Sequence, residues 1–333
     1  MWSWIKRIFF LALCLILLAI AGLGWYAFSP VTQRSDPADF SIRPGSSLRS
    51  ATRQIVESGV ELKPWLFNLL GRLLGKAETI KAGSFEVGRG VTPIALLDKL
   101  TAGEVTQTEA AFIEGWTFRQ MRAALDANDE IRHDSAALSD AEIMARLGAA
   151  GRNPEGLFFP DTYLFGKGAS DLDILRRAYK AMERQLEAAW QQRAPDLPYR
   201  SPYDALIMAS VIEKETGQAT DRALIGGVFV NRLRIGMMLQ TDPSVIYGLG
   251  ENFDGVLHKK DLLGDTPHNT YTRSGLPPTP IAMPGQAALQ AALNPAKTTA
   301  LYFVARGDGS SEFSRTLAEH ERAVIKYQRR GRR

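Results

Sequence analysis

Residues 204–217 have the sequence Asp-Ala-Leu-Ile-Met-Ala-Ser-Val-Ile-Glu-Lys-Glu-Thr-Gly, which predicts an apolar helix with two carboxylates in its last turn. Pro202 lies near the start of this helix, and Thr216-Gly217 forms a C-terminal stop signal. Residues two apart on a helix point about 200° away from each other. Glu213 and Glu215 therefore cannot both face one groove.

Glu215 is the better candidate for a general acid. It lies one turn beyond Val211 and Ile212, whereas Glu213 lies one turn beyond a smaller and more polar patch. Burial raises the pKa of a carboxyl, and the negative end of the helix dipole disfavours a further negative charge. Both effects would keep Glu215 protonated near neutral pH, as a general acid requires. Glutamates in the last turn of a helix usually face solvent, so the spacing alone favours two solvent-facing side chains over a catalytic one.

Composition narrows the class of protein. The 333 residues are 45% hydrophobic and 23% charged, which predicts two folded units with appendages. The net charge is only +4, and no basic stripe with interleaved aromatics suggests a nucleic-acid partner. Cys14 is the single cysteine, and the four histidines lack metal-ligand spacing, so we expect no disulfide, metal or cofactor. The last residues include a basic tail of Arg329, Arg330, Arg332 and Arg333. We expect this tail to be solvated; the alternative is that it contacts anionic lipid or an acidic wall polymer.

The run from Ile8 to Phe28 contains no charge and is long enough to cross a membrane, since about 20 helical residues span its hydrocarbon core. Lys6 and Arg7 precede it, which favours a cytoplasmic N-terminus with the rest of the chain outside. The alternative is a signal peptide cleaved after the small residues around Ile20. The apolar run continues past that point, so we expect a retained anchor.

A weak repeat follows the anchor: residues 40–47 resemble residues 85–92, each a short strand, a glycine turn and a Ser or Thr helix N-cap. Pro93 occupies a first helical position, and Gly59 and Gly103 end the two predicted helices. Residues 112–117 form a third echo, which ends at Thr117 before an amphipathic stretch. We interpret residues 31–108 as a small α+β subdomain similar to the LysM-like segments of wall-binding proteins. It either binds sugar or is an ordinary packing unit.

Residues 134–148 and 171–192 have the pattern of polar-rich amphipathic helices. The aromatic run between them, from Glu155 to Tyr163, predicts either the wall of a sugar groove or a core strand followed by a tight turn. The pattern leaves both interpretations open.

Three longer runs, residues 211–217, 227–237 and 239–248, resemble the endolytic murein transglycosylase (YceG-like) family. Shorter runs at residues 269–271, 275–278, 294–296 and 301–305 fit the same family, and the resemblance covers nearly the whole chain after the anchor. It implies an α+β fold: a cytoplasmic stub and transmembrane anchor (1–30), the LysM-like subdomain (31–108) and a catalytic domain (109–333) whose glutamate lies on a helix.

The family's catalytic glutamate belongs to a Glu-Thr pair, which implies Glu215 here, with Glu213 in the same run as the alternative. The implied reaction cuts the bond between N-acetylmuramic acid and N-acetylglucosamine within a strand and leaves a 1,6-anhydro end. The polar residues of the matched runs are candidate sugar contacts: Asn231, Gln240, Thr241, Asp242, Tyr247, Asn269 and Tyr271. Asn231 has an alternative role as a core brace, and Thr241 and Asp242 as the start of a helix.

The resemblance also implies where the protein works. The expected partners are peptidoglycan strands, the cytoplasmic membrane and peptidoglycan synthases, with the catalytic domain on the periplasmic side of the inner membrane. One rival is a non-catalytic, membrane-anchored peptidoglycan-binding scaffold. A serine acyltransferase is disfavoured, because no lysine lies three residues after Ser210 and no Gly-x-Ser-x-Gly elbow occurs.

Overall fold

The computed structural model describes residues 2–43, 45–103 and 107–329. The first elements are α1 (Trp2–Phe28), β1 (Thr32–Gln33), β2 (Ala38–Ile42), α2 (Leu48–Glu57), β3 (Val60–Glu61), α3 (Pro64–Leu73), β4 (Gly83–Val87) and α4 (Pro93–Ala102). They are followed by β5 (Gln107–Ala111), α5 (Phe118–Asp126), β6 (Ile131–Arg132), α6 (Asp140–Arg146), β7 (Thr162–Gly166), β8 (Ala169–Ser170) and α7 (Asp171–Gln191).

The remaining elements are α8 (Pro202–Glu215), α9 (Ala219–Arg234), α10 (Asp242–Leu249), a 3-10 turn (Gly250–Asn252), α11 (Lys259–Leu263), α12 (Gln286–Leu293), β9 (Tyr302–Ala305), β10 (Ser311–Ser314), α13 (Leu317–Val324) and a π-helical turn (Ile325–Arg329). The predicted mixed α+β class is confirmed. The basic tail beyond Arg329 lies outside the described residues.

The chain divides into two compact units. Unit 1 comprises Met1–Glu109, Glu130–Arg132 and Leu164–Ala169, and unit 2 comprises Ala110–Asp129, His133–Tyr163 and Ser170–Arg333. The sequence analysis did not predict the two short segments that return to unit 1. They return because of local contacts there: Lys167 forms an ion pair with Asp39 at 2.9 Å and its carbonyl accepts a hydrogen bond from the Ser84 hydroxyl.

Helix α1 is the one helix of the described chain that is long and apolar enough to cross a membrane. The candidate span, Trp4–Phe28, has 25 residues and a mean hydropathy of 2.7. Its last turn belongs to unit 1: Ala27 is 3% exposed within the core of that unit, and the Tyr26 hydroxyl donates to the Lys63 carbonyl at 3.5 Å. Val31, just beyond the helix, donates its N–H to the Val91 carbonyl at 2.8 Å.

The core of unit 1 is a two-stranded antiparallel sheet covered by helices. Strands β2 and β4 pair with Ala38 opposite Val87 and Ile42 opposite Gly83, and the rings of Phe40 and Phe85 stack with centroids 5.7 Å apart. Alternate residues of β2 are buried, as one face of a strand packing on a core requires. Helices α2, α3 and α4 bury their leucine and isoleucine side chains in the same core.

The predicted helix signals of unit 1 are confirmed. Ser47 caps α2 by accepting the Ser50 N–H, and Thr92 caps α4 by accepting the Ala95 N–H. Pro93 is the first residue of α4, and Gly103 ends it in the left-handed conformation at φ 76°. Pro44, in the first copy of the repeat, lies outside the described residues.

Unit 2 is built around α8. This helix packs against α7, α9, α10 and α12, and every residue from Ala205 to Ile212 is buried. The sequence predicted a single apolar stripe, but the small and apolar side chains of α8 allow neighbours on all sides. Close approach continues in α9, where a Cβ on Gly226 would meet the Ala291 carbonyl oxygen and one on Gly227 would lie 2.5 Å from the Ala296 carbonyl oxygen.

One predicted helix is shorter than expected. Helix α7 matches the prediction, whereas the helix predicted for residues 134–148 extends only over Asp140–Arg146. Ser139 and Glu142 form a capping box that fixes the start of α6. Upstream, the Ser135 backbone N–H and hydroxyl both donate to the buried Asp171 carboxylate, which holds that segment in a non-helical path.

Candidate active site

Helix α8 carries the two candidate carboxyl groups at the end of a buried element. Ser201 caps its start by accepting the Asp204 N–H at 3.2 Å. After Glu215 the chain turns into the extended conformation at Thr216, whose hydroxyl accepts the Gln218 N–H at 3.0 Å. The carboxyl groups therefore project from a helix whose position is fixed by packing.

Glu213 faces the segment before α12. One of its carboxylate oxygens accepts the Gly285 N–H at 3.0 Å. Burial raises the pKa of Glu213, the Gly285 N–H lowers it, and the nearby Glu114 carboxylate raises it again.

Glu215 is partly buried and has a different set of neighbours. Burial makes the largest contribution and raises its pKa; the Asp242 carboxylate acts in the same direction. The Thr241 hydroxyl and the Arg232 guanidinium lower it. None of these groups contributes to the pKa of Glu213. The two carboxyls thus lie in separate surroundings, although only one residue separates them in sequence.

Arg232, which the sequence analysis did not single out, is the cation near Glu215. It is 7% exposed on α9, and its Nε and Nη1 donate to the carbonyls of Leu301 and Leu239, both at 2.7 Å. Burial lowers its pKa, while Tyr302 and Glu215 raise it. An arginine two residues after the apolar run that ends at Val230 was the available signal, because charged side chains are seldom buried without a partner.

The start of α10 is held against the loop around Thr270. Gln240 adopts a left-handed conformation at φ 49°, and its N–H donates to the Thr270 carbonyl at 3.1 Å. The Thr241 N–H donates to the Thr270 hydroxyl at 3.0 Å. The Tyr271 hydroxyl donates to Asp242. These bonds place the first residues of α10 beside Glu215.

The Thr241 hydroxyl is buried and makes no regular hydrogen bond within the described residues. It lies close enough to Glu215 to lower the pKa of that carboxyl. A buried hydroxyl without a regular partner is available to a ligand at the carboxyl.

The other predicted sugar contacts separate into two groups. Thr241, Asp242 and Tyr271 all lie near Glu215, since each interacts electrostatically with it. Asn231 instead donates both amide hydrogens to the carbonyls of Thr298 and Ala300. Asn269 is fully buried, donates to three backbone carbonyls and accepts the Tyr271 N–H at 2.8 Å. In this structure the two asparagines brace loops, and Gln240 is exposed next to Thr241.

Tyr247, the remaining predicted contact, lines a cleft of about 950 Å³ in unit 2. At the base of this cleft lies Glu155, which is 5% exposed. Its carboxyl oxygens accept the Phe118 N–H at 3.1 Å and the Tyr247 hydroxyl at 3.2 Å. Burial raises the pKa of Glu155 to about 7. In the sequence, Glu155 is only the first residue of the aromatic run, and no pattern there predicts that it is buried.

The aromatic run after Glu155 packs in the core. Phe158 is fully buried and stacks on Phe118 with centroids 5.0 Å apart. The Tyr163 hydroxyl donates back to the Phe159 carbonyl at 2.8 Å. The strand of this region, β7, begins only at Thr162, so Tyr163 lies in a strand whereas Phe158 and Phe159 are buried outside one.

Ser210 has no exposed hydroxyl for nucleophilic chemistry. It is fully buried, its hydroxyl donates to the Ile207 carbonyl at 2.7 Å, and it accepts the Ile281 N–H at 3.0 Å. The acyltransferase hypothesis is therefore dropped. Within the described ranges no three His, Cys, Asp or Glu side chains are grouped to hold a metal ion.

Comparison with known proteins places the chain in a family. The model of the YceG-like family matches residues 40–326. The endolytic murein transglycosylase of Bacillus subtilis (strain 168) is 33% identical over 307 residues, which cover 87% of this chain and 84% of the relative. The endolytic murein transglycosylase of Streptococcus pneumoniae (strain D39) is 22% identical, over 96% of this chain and 65% of the relative.

A solved structure agrees. The crystal structure of a yceG-like protein from Listeria monocytogenes superposes with a TM-score of 0.55 and 28% identity, covering 86% of this chain and 98% of that one. The resemblance inferred from the sequence motifs is thereby confirmed: the chain belongs to the YceG-like family.

Proposed function

We propose that this protein is an endolytic lytic transglycosylase, which cuts the bond between N-acetylmuramic acid and N-acetylglucosamine within peptidoglycan strands. The chain is an enzyme of the lyase type, as its named relatives are. The observation that carries the reaction is the environment of Glu215, a partly buried carboxyl with a raised pKa at the end of a rigid helix. Such a carboxyl is protonated at a higher pH than an exposed glutamate and suits a general acid.

In the proposed reaction Glu215 acts twice. It first gives its proton to the glycosidic oxygen, so that the bond from this oxygen to the anomeric carbon of muramic acid breaks. The N-acetyl group of the same sugar stabilises the positive anomeric centre, which replaces the second carboxylate of most glycosidases. The Glu215 carboxylate then takes the proton of the sugar's 6-hydroxyl, whose oxygen bonds to the anomeric carbon. The product is a 1,6-anhydro end, and Glu215 regains its proton.

The surroundings of Glu215 support both steps. Burial and Asp242 favour the protonated form, while Thr241 and Arg232 favour the carboxylate. Opposing influences of this kind suit a group that must both donate and accept a proton during one reaction. The Thr241 hydroxyl and Tyr271 are then available as contacts for the sugar on either side of the bond.

The same proposal assigns a role and a cellular location to the anchor helix, the LysM-like subdomain and the catalytic domain. Helix α1 is the retained anchor, with residues 1–30 as stub and anchor and the catalytic domain, residues 109–333, in the periplasm. Residues 31–108 form the LysM-like subdomain. Cleavage within new strands would limit their length, which places the protein beside peptidoglycan synthases.

The decisive test compares Glu215→Gln with Glu213→Gln on purified glycan strands, using mass spectrometry to identify the new ends. We expect Glu215→Gln to form no anhydro ends. Glu213→Gln is the matched control, because its amide oxygen can still accept the Gly285 N–H. Full activity of Glu215→Gln with loss in Glu213→Gln would move the assignment by two residues. Binding to sacculi without any new ends in the wild type would support the scaffold instead.

A further inference from the structure

The cleft above Glu155 carries one cation that nothing in the described chain neutralises. Two other charged residues of its lining are paired: Arg119 with Glu251 at 2.7 Å, and Asp140 with Arg122 at 2.8 Å. Arg152 has no carboxylate within 4.0 Å among the described residues.

Arg152 is also oriented. Its Nη1 donates to the Tyr179 hydroxyl at 2.9 Å, and its guanidinium lies 5.9 Å from the centre of the Tyr203 ring. A guanidinium held by one hydrogen bond and an aromatic ring still has donors free for a planar anion, and a carboxylate fits its fork geometry.

Glu155 does not cancel this charge below about pH 7. Its carboxyl is buried at the base of the cleft and accepts two hydrogen bonds from uncharged groups, the Phe118 N–H and the Tyr247 hydroxyl. Asp140, Tyr203 and Tyr247 interact with it, and none of these three is a cation. Burial raises the pKa of Glu155 to about 7, so that below this pH the cleft has a net positive charge.

The cleft lies beside the Glu215 site along one helix. Tyr247 of the cleft and Asp242 of the Glu215 site are both on α10, five residues or about 7.5 Å apart along its axis. An extended peptide spans about 3.3 Å per residue, so a peptide of three or more residues on a sugar bound at Glu215 is long enough to cover this distance.

We propose that Arg152 binds a carboxylate of the stem peptide carried by a muramic acid residue, so that this cleft favours strands with charged peptides. This inference rests on the proposed function, because it takes the strand as the substrate. It adds a specificity site to a reaction that otherwise requires only the sugars.

The test uses the full-length protein in detergent and two substrates: native glycan strands, and the same strands with peptide carboxyls converted to methylamides by carbodiimide coupling. We expect wild-type kcat/KM to be about tenfold higher on native strands, the scale of one hydrogen bond to a charged group. Arg152→Gln should remove the difference, and Arg152→Lys should retain part of it. Arg119→Gln, a rim arginine already paired with Glu251, should keep the whole difference.

Equal wild-type kcat/KM on both substrates, or an undiminished difference in Arg152→Gln, would overturn the proposal. Co-sedimentation of the protein with both kinds of strand measures binding without cleavage, so it tests the carboxylate site separately from the proposed reaction. A tenfold difference in affinity that depends on Arg152, without cleavage, would uphold the carboxylate site and reject the lyase.

A pH series adds a readout that a structural role of the cleft would not change. Ionisation of Glu155 above pH 7 adds a negative charge, so the wild-type preference for native strands should decline between pH 7 and 8.5. In Glu155→Gln the preference should persist across this range. A decline of equal size in that variant would contradict the assigned role of the cleft charge.

Discussion

The Tyr271 hydroxyl donates a hydrogen bond to the Asp242 carboxylate, with Oη and Oδ1 2.5 Å apart. This bond holds the Asp242 carboxylate in position, and the charge of that carboxylate raises the pKa of Glu215. Tyr271 therefore influences the candidate acid through a second residue, and the arrangement can be tested at each step.

Asp242→Asn should lower the pKa of Glu215, because it removes a negative charge while keeping an acceptor for Tyr271. A general acid acts in its protonated form, so the decline of kcat/KM at high pH should begin at a lower pH than in the wild type. The pH–rate profiles of the two proteins measure this. Asp254→Asn, which removes an exposed charge from the loop between the 3-10 turn and α11, is the control. If kcat/KM of Asp242→Asn begins to decline at the same high pH as that of the wild type, the prediction is wrong.

Arg232→Met should destabilise unit 2. The substitution keeps the apolar stem but leaves the buried carbonyls of Leu239 and Leu301 without their donors, at a cost of about 3 kcal/mol in the free energy of unfolding. Urea denaturation followed by circular dichroism measures it. Arg234→Met, on the exposed side of the same helix, should change stability little. Equal losses in both variants would argue against a bracing role for the buried arginine.

Gly226→Ala should destabilise the protein through overpacking. Its Cβ would meet the Ala291 carbonyl of α12, a backbone atom that cannot rotate away, and we expect a loss of about 2 kcal/mol. The control is Gly217→Ala, where a Cβ meets nothing within 4 Å and φ is not left-handed. Thermal denaturation distinguishes the two. A wild-type melting temperature for Gly226→Ala would show that α9 and α12 can separate at little cost.

Glu155 should make stability depend on pH. Its pKa rises from 4.5 to about 7 on folding, so the unfolded chain loses this proton at a lower pH than the folded protein does. Stability should therefore fall as pH rises from about 4.5 to 7, by about 3 kcal/mol for this one group. Glu155→Gln should lack that loss, which urea denaturation at pH 5 and pH 8 would show. A constant difference in stability between the two proteins at both pH values would contradict it.

Much of the local structure followed from the sequence because its causes are local. The caps at Ser47, Thr92 and Thr117 need only a hydroxyl three residues before the backbone N–H that donates to it. The helix predicted for residues 134–148 was wrong at its start because Asp171, more than thirty residues away, holds Ser135. A periodic pattern does not contain that contact.

Some residues of the candidate site could be predicted from the sequence and others could not, again because the latter depend on the packed structure. Motif resemblance identified Glu215, Thr241, Asp242 and Tyr271 as a group, and the fold brings these four together. Resemblance does not reveal which way an amide points, so Asn269 looked like a sugar contact although its amide is enclosed by backbone carbonyls. Arg232 and Glu155 were missed because their importance lies in burial, which only the packed structure defines.

The last turn of α1 is part of the core of unit 1, through Ala27 and the bond from Tyr26 to Lys63. If α1 spans the membrane as proposed, unit 1 is attached directly to the end of the anchor helix and not through a flexible linker. The distance of unit 1 from the lipid surface is then set by the position at which the helix ends. Inserting a Gly-Ser linker after Phe28 would leave every residue of the site unchanged and remove the fixed distance of unit 1 from the lipid, while activity on free strands should persist.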